Sequence, residues 1–176
     1  MPSYSRNFAP SLNSAPLLIF DRDGTLNENN TDHPHKLEDL KVREGIPKLF
    51  SRLEKLRVNI AIATNQSGIA RELYSEAEFE FFNSELITRI GVPSTTINLI
   101  AACFHHPNLE CQCRKPKPGL LEHCKAQFPS SAHVLFTGDA KTDKQAAKNA
   151  YVDWIDINDF NSSQRIISWV ESHNDL

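Results

Sequence analysis

Five apolar runs limit what this chain can fold into more than anything else in it. They are LLIF (17–20), VNIAIAT (58–64), INLIAACF (97–104), HVLFTG (133–138) and YVDWIDI (151–157). Most are near-continuous rather than alternating. A strand covered on one face alternates apolar and polar residues, whereas one covered on both faces reads as an unbroken run. Between the runs the period changes. Residues 45–56 set Ile46, Leu49, Phe50, Leu53 and Leu56 on one helical face. The stretch SEAEFEFFNSELITRI opens with Ser75 and Glu78 at capping-box spacing, then repeats Phe79, Phe82, Leu86 and Ile90 at helical intervals. Further helices are expected over 118–127, 142–150 and 159–173. Regular alternation of strand and helix predicts an α/β fold: a single Rossmann-like domain over 15–176, with a parallel sheet flanked by helices. Residues 1–14, MPSYSRNFAPSLNS, read as a flexible leader without the hydrophobic segment of a secretory signal.

This architecture gives scattered polar residues a common address, because sites in open α/β sheets form outside the carboxyl ends of the strands. Asp21 and Asp23, Thr64 and Asn65, Cys103, and Asp139 all lie at or just after the ends of predicted strands. Two carboxylates two residues apart at the mouth of a buried strand repel each other and call for a cation. Asp21 and Asp139 suit Mg²⁺, a hard ion that takes one or two carboxylates, waters and phosphate oxygens. A carboxylate beside that ion can attack phosphorus, and a second can move the proton. Thr64 and Asn65 can donate to phosphoryl oxygens, and Lys115 can oppose their charge.

The segments carrying these residues are DRDGT (21–25), TNQSG (64–68), CRKPKPG (113–119) and TGDAKTD (137–143). In order and spacing they resemble the four motifs of the haloacid dehalogenase superfamily of phosphohydrolases. The resemblance implies Asp21 as nucleophile and Asp23 as general acid/base. Mg²⁺ would lie on Asp21, the Asp23 carbonyl and Asp139, with Thr64 and Lys115 on the phosphoryl group and Asp143 as the second acid of the last motif.

The cysteines divide differently. CFHHPNLECQC places Cys103, His105, Cys111 and Cys113 in a CxHx₅CxC pattern, with His106 as the competitor to His105. Three thiolates and an imidazole close a tetrahedral Zn²⁺ site that is structural, since no position stays open. Cys124 falls in a helical stretch and reads as a core residue. A zinc loop followed by CRKPKPG resembles the small, minimally capped phosphatases of the heptose-bisphosphate and histidinol-phosphate group. There the zinc-pinned loop would carry Arg114 and Lys115 over the substrate, and TNQSGIAR would add Asn65, Gln66 and Ser67 to substrate binding. That longer motif favours a heptose bisphosphate, a small phosphorylated sugar; the compact zinc loop favours histidinol phosphate. A zinc-stabilised phosphate-binding module without activity is the remaining reading. Ala140 stands where heptose enzymes carry Lys.

A net charge of −3 supplies no basic surplus for a nucleic-acid surface. No apolar stretch approaches a membrane span. The expectation is a monomeric cytoplasmic enzyme with neither nucleic acid nor membrane as partner.

Overall fold

The computed structural model describes residues 1–174. Its central sheet has six strands: β1 (Tyr4–Asn7), β2 (Leu17–Phe20), β3 (Asn59–Asn65), β4 (Leu99–Cys103), β5 (Val134–Gly138) and β6 (Asp153–Asp156). They lie in the order β1-β4-β3-β2-β5-β6. All pairings are parallel except β1 with β4. From β2 onward four helices connect them, α1 (Ile46–Leu53), α2 (Glu76–Ile90), α3 (Gly119–Gln127) and α4 (Lys141–Ala150), and α5 (Ser162–Ser172) follows β6. Every expected strand and helix is present, with ends shifted by a few residues.

Side-chain alternation along each strand sorts the core into two layers. Leu18 and Phe20 point with Ile60, Ile62 and Ile100 into a core shared with α1, α2 and α5. Leu17 and Ile19 point with Ala61, Ala63 and Ala101 the other way, against Leu120, Leu121 and Cys124 of α3 and Ala146, Ala147 and Ala150 of α4. Small alanines on that face let α3 and α4 approach closely. Burial on both faces is why these strands are apolar throughout. The α2 start holds the expected box: Glu78 N donates to Ser75 Oγ and Ser75 N to Glu78 Oε2.

The leader is a correction. Residues 4–7 form β1, which pairs Tyr4 with Ala102 and Asn7 with Leu99 and covers the edge of β4. Tyr4 is buried against Phe79 and Phe104, and its hydroxyl donates to Glu80 at 3.0 Å. Further along, Leu12 N donates to Asn59 Oδ1, and Asn59 Nδ2 donates back to Leu12 O. One inward aromatic in a short polar stretch creates no periodicity, so pattern alone could not reveal this strand. Among the described residues, no helix is long and apolar enough to cross a membrane.

The sheet reverses direction at β2. The chain steps outward to β3 and β4, then returns to β5 and β6 on the other side. A crevice therefore opens beyond the end of β2, between the segments that leave β3 and β5.

Candidate active site

Asp21 leaves β2 with its N–H donating to Thr137 O at 2.9 Å, so the first and last motifs are joined through the sheet. A tight turn follows, closed by Leu26 N donating to Arg22 O at 2.8 Å and Gly24 N to Asn27 O at 2.7 Å. Gly24 has φ +88°, and a Cβ there would stand 2.6 Å from Asp139 Cγ. At Gly138 a Cβ would stand 2.6 Å from Asp143 Oδ2. Both glycines make room for carboxylates. Asp21, Asp139 and Asp143 consequently each bring an oxygen within 4.8 Å of the others.

Lys115 enters this cluster from the loop before α3. Its ammonium donates to Asp21 Oδ1 at 2.5 Å and Ala63 O at 3.0 Å, and lies 2.7 Å from Asp143 Oδ1. Burial opposes the Lys115 charge, but Asp21 and Asp143 outweigh it and hold its pKa above the ordinary value. Burial likewise pushes the Asp21 carboxyl up to about 7; Lys115 pulls it down, while the charge on Asp143 adds to the rise. Asp139 is raised by burial and by Asp143. Three carboxylates against one ammonium leave about two negative charges uncompensated in a low-dielectric crevice. That imbalance, carried by hard oxygen donors, fits a divalent cation such as Mg²⁺.

The cavity above these groups has a volume of about 170 Å³. It is lined by seven residues expected from sequence, Asp21, Asp23, Thr64, Asn65, Lys115, Asp139 and Asp143, and also by Asn29, Ala140 and Thr142. Asn65 spends both ends of its amide on the Lys115 backbone: Nδ2 donates to Lys115 O and Oδ1 accepts from Lys115 N. It thereby fixes where Lys115 leaves the loop.

Three other expected substrate contacts do not reach the cavity wall. Gln66 is buried with its amide occupied by Asp23, Thr64, Arg22 and Tyr74. Ser67 is buried in the turn after β3. Arg114 Nη1 is buried with no hydrogen-bond partner among the described residues. Two residues gain a larger place than the motifs gave them. Asp143 belongs to the carboxylate cluster, and Ala140 N donates to its Oδ2 at 3.1 Å, which anchors it at the start of α4. Arg22 is fully buried beside Asp23. A basic residue between two carboxylates was the only signal for it.

The second cluster lies beyond the end of β4. Cys103, His105, Cys111 and Cys113 each offer one ligand atom within 4.8 Å of the rest. The sulfur of Cys111 is 3.5 Å from Cys103 and 3.6 Å from Cys113, and His105 Nδ1 is 3.2 Å from Cys113. A zinc–sulfur bond of about 2.3 Å sets two thiolates of a tetrahedron about 3.8 Å apart, close to this spacing. Softness of the donors and tetrahedral spacing both fit zinc. His106 turns away and accepts from Asn108 N instead. Ser3, just before β1, hydrogen-bonds His105 Nδ1 at 3.1 Å and accepts from Phe104 N. These four residues bracket the loop that leads directly into Arg114 and Lys115.

The sequence family described as polynucleotide kinase 3 phosphatase matches residues 16–166. A D-glycero-beta-D-manno-heptose-1,7-bisphosphate 7-phosphatase of Pseudomonas putida is 36% identical over 132 residues, 74% of this chain and 75% of its own length. A D-glycero-alpha-D-manno-heptose-1,7-bisphosphate 7-phosphatase of Campylobacter jejuni is 36% identical over 135 residues, 76% of each chain. Among solved structures, the D,D-heptose 1,7-bisphosphate phosphatase of B. bronchiseptica, complexed with magnesium and phosphate, superposes with a TM-score of 0.75. It is 23% identical and covers 88% of this chain and 99% of its own, a likeness of fold.

Proposed function

Because this chain belongs to the polynucleotide kinase 3 phosphatase family, within the haloacid dehalogenase superfamily, we propose that it hydrolyses the 7-phosphate of a D-glycero-D-manno-heptose 1,7-bisphosphate through an aspartyl-phosphate. The observation that carries the proposal is the convergence of Asp21, Asp139, Asp143 and Lys115, from three separated stretches of chain, on one small polar cavity.

An Asp21 carboxylate oxygen attacks phosphorus, and the bond from phosphorus to the sugar oxygen breaks. Asp23 gives a proton to that oxygen as it departs, then takes one from the water that hydrolyses the aspartyl-phosphate. Thr64 and Lys115 line the same cavity, where a hydroxyl donor and an ammonium would oppose the charge on the transferring group. Lys115 also favours the ionised, nucleophilic form of Asp21 against the cost of burial. A magnesium ion would be held by Asp21, Asp139 and the Asp23 carbonyl and would supply positive charge against the phosphoryl oxygens. Zinc on Cys103, His105, Cys111 and Cys113 would serve the loop rather than the chemistry, keeping Lys115 at the cavity.

Phosphate release measured across sugar mono- and bisphosphates, histidinol phosphate and nucleotides, with and without Mg²⁺, tests the reading. Heptose 1,7-bisphosphate should show the highest specificity constant, with the 7-phosphate lost. Equal or better turnover of histidinol phosphate would move the assignment to that substrate. Absence of Mg²⁺-dependent release from every ester would leave only a phosphate-binding module.

A further inference from the structure

We propose that Arg22, backed by Gln66, is a positioning residue: it fixes the plane of the Asp23 carboxylate so that this group can protonate the leaving oxygen. The inference rests on the phosphatase reading above.

Arg22 is 1% exposed and heads the fully buried side chains by volume. A guanidinium in such a place needs partners for its charge and its five N–H groups. Nε donates to Asp23 Oδ1 and Nη2 to Asp23 Oδ2, both at 2.9 Å, a two-point fork on the neighbouring residue. Nη2 also reaches Gln66 Oε1 at 2.9 Å and Pro34 O at 3.2 Å, and Nη1 reaches Asn83 Oδ1 at 3.4 Å. The guanidinium carbon lies 4.7 Å from the Phe82 ring centre and 5.5 Å from that of Phe79.

Gln66 completes the clamp. Its Nε2 donates to Asp23 Oδ2 at 2.7 Å and Thr64 Oγ1 at 2.8 Å, while its Oε1 accepts from Tyr74 OH at 2.6 Å. Asn27 Nδ2 adds a second donor to Asp23 Oδ1 at 3.0 Å. Each Asp23 oxygen thus accepts from two donors in the ionised state, which sets the plane of the carboxylate; when Asp23 carries its proton, one oxygen gives up a donor. An ion pair that merely closed a strand end would be replaceable by apolar side chains at little cost. Here the fork falls on a carboxylate that lines the cavity.

The step it serves balances simply. As the Asp21 oxygen bonds to phosphorus, the pair of the breaking P–O bond moves onto the departing oxygen, which takes the proton of Asp23. Asp23 is left as the carboxylate that Arg22 grips. A leaving group that departs readily as an anion does not need that proton.

The test uses holoenzyme loaded with both metals and compares kcat/KM for a sugar phosphate with kcat/KM for p-nitrophenyl phosphate. This parameter stops at the first phosphoryl transfer, so later hydrolysis of the aspartyl-phosphate does not enter it. Arg22→Met should lower the value for the sugar phosphate about 100-fold, within the range of general-acid catalysis, and for the nitrophenyl ester about threefold or less. Arg22→Lys should not rescue it, since an ammonium cannot bracket both oxygens. Equal losses on the two esters would overturn the inference and leave Arg22 a scaffold residue. Where Arg22→Met does not fold, Gln66→Met decides in its place: a loss confined to the sugar phosphate supports the clamp, and equal losses refute it. Wild-type enzyme inactive on both esters would instead remove the phosphatase reading, and the clamp with it.

Discussion

Replacing Lys115 with Met keeps most of the side-chain volume and removes the one ammonium among three carboxylates. Its contacts with Asp21 at 2.5 Å and Asp143 at 2.7 Å are each worth about 6 kcal/mol in gross attraction at an effective dielectric of about 20. The cost of burying the ammonium offsets much of that, and breaking a buried pair of this kind costs about 3–5 kcal/mol overall. For a chain of this size the loss corresponds to a fall in Tm of about 6–20 °C. The fall should depend on pH. The Asp21 carboxyl is raised on folding from 3.8 to about 7, so native stability drops as pH climbs through that interval, and Lys115 limits the drop. Without Lys115 the drop steepens, and the difference between variant and wild type should be larger at pH 8 than at pH 5.5. Mg²⁺ should restore part of the lost Tm by supplying charge to the same oxygens. Circular dichroism melts in magnesium-free and magnesium-containing buffer, at both pH values, measure all three effects. A Tm difference below about 2 °C at pH 8, unchanged at pH 5.5, would refute the charge balance derived for this cluster.

Asp21→Asn should abolish Mg²⁺-dependent phosphate release while leaving the fold intact, since an amide cannot act as the nucleophile; near-normal turnover would sink the aspartyl-phosphate. Elemental analysis should find about one zinc per chain in freshly isolated protein, and Cys111→Ser should lose it; an unchanged zinc content would reject the Cys103, His105, Cys111, Cys113 ligand set. Tyr4→Ala should cost about 3 kcal/mol in urea denaturation, because a buried ring packed on Phe79 and Phe104 leaves a cavity; a cost below about 1 kcal/mol would mean that β1 contributes little to the fold.

That two groups of metal-ligating side chains would gather was legible from residue types. The CxHx₅CxC spacing keeps all four candidate zinc ligands within eleven residues, and a short segment can be checked for donor number and chemistry without knowing the fold. For Gln66 and Asn65, motif position alone did not show which other residues of the fold those side chains hold. Gln66 looked like a substrate contact because it follows Thr64 and Asn65, yet its amide is consumed by Arg22, Asp23, Thr64 and Tyr74. Asn65 turned out to hold the Lys115 backbone, a residue 50 positions away.

The sequence by itself determined the class of fold, because strands buried on both faces must be apolar throughout and helices between them must carry one apolar face. It also determined which ends of those strands carry carboxylates, since polar residues at the close of buried strands have few other places to go. Tertiary structure decided what neither pattern nor motif expresses. Residues 4–7 became a strand because β4 presented an open edge and Tyr4 found Phe79 and Phe104 to pack on. Lys115 became buried because Asp21 and Asp143 arrive on either side of it. Periodicity is a local property of the chain, whereas the energy of a buried charge or an edge strand depends on groups that only folding brings within a few ångströms.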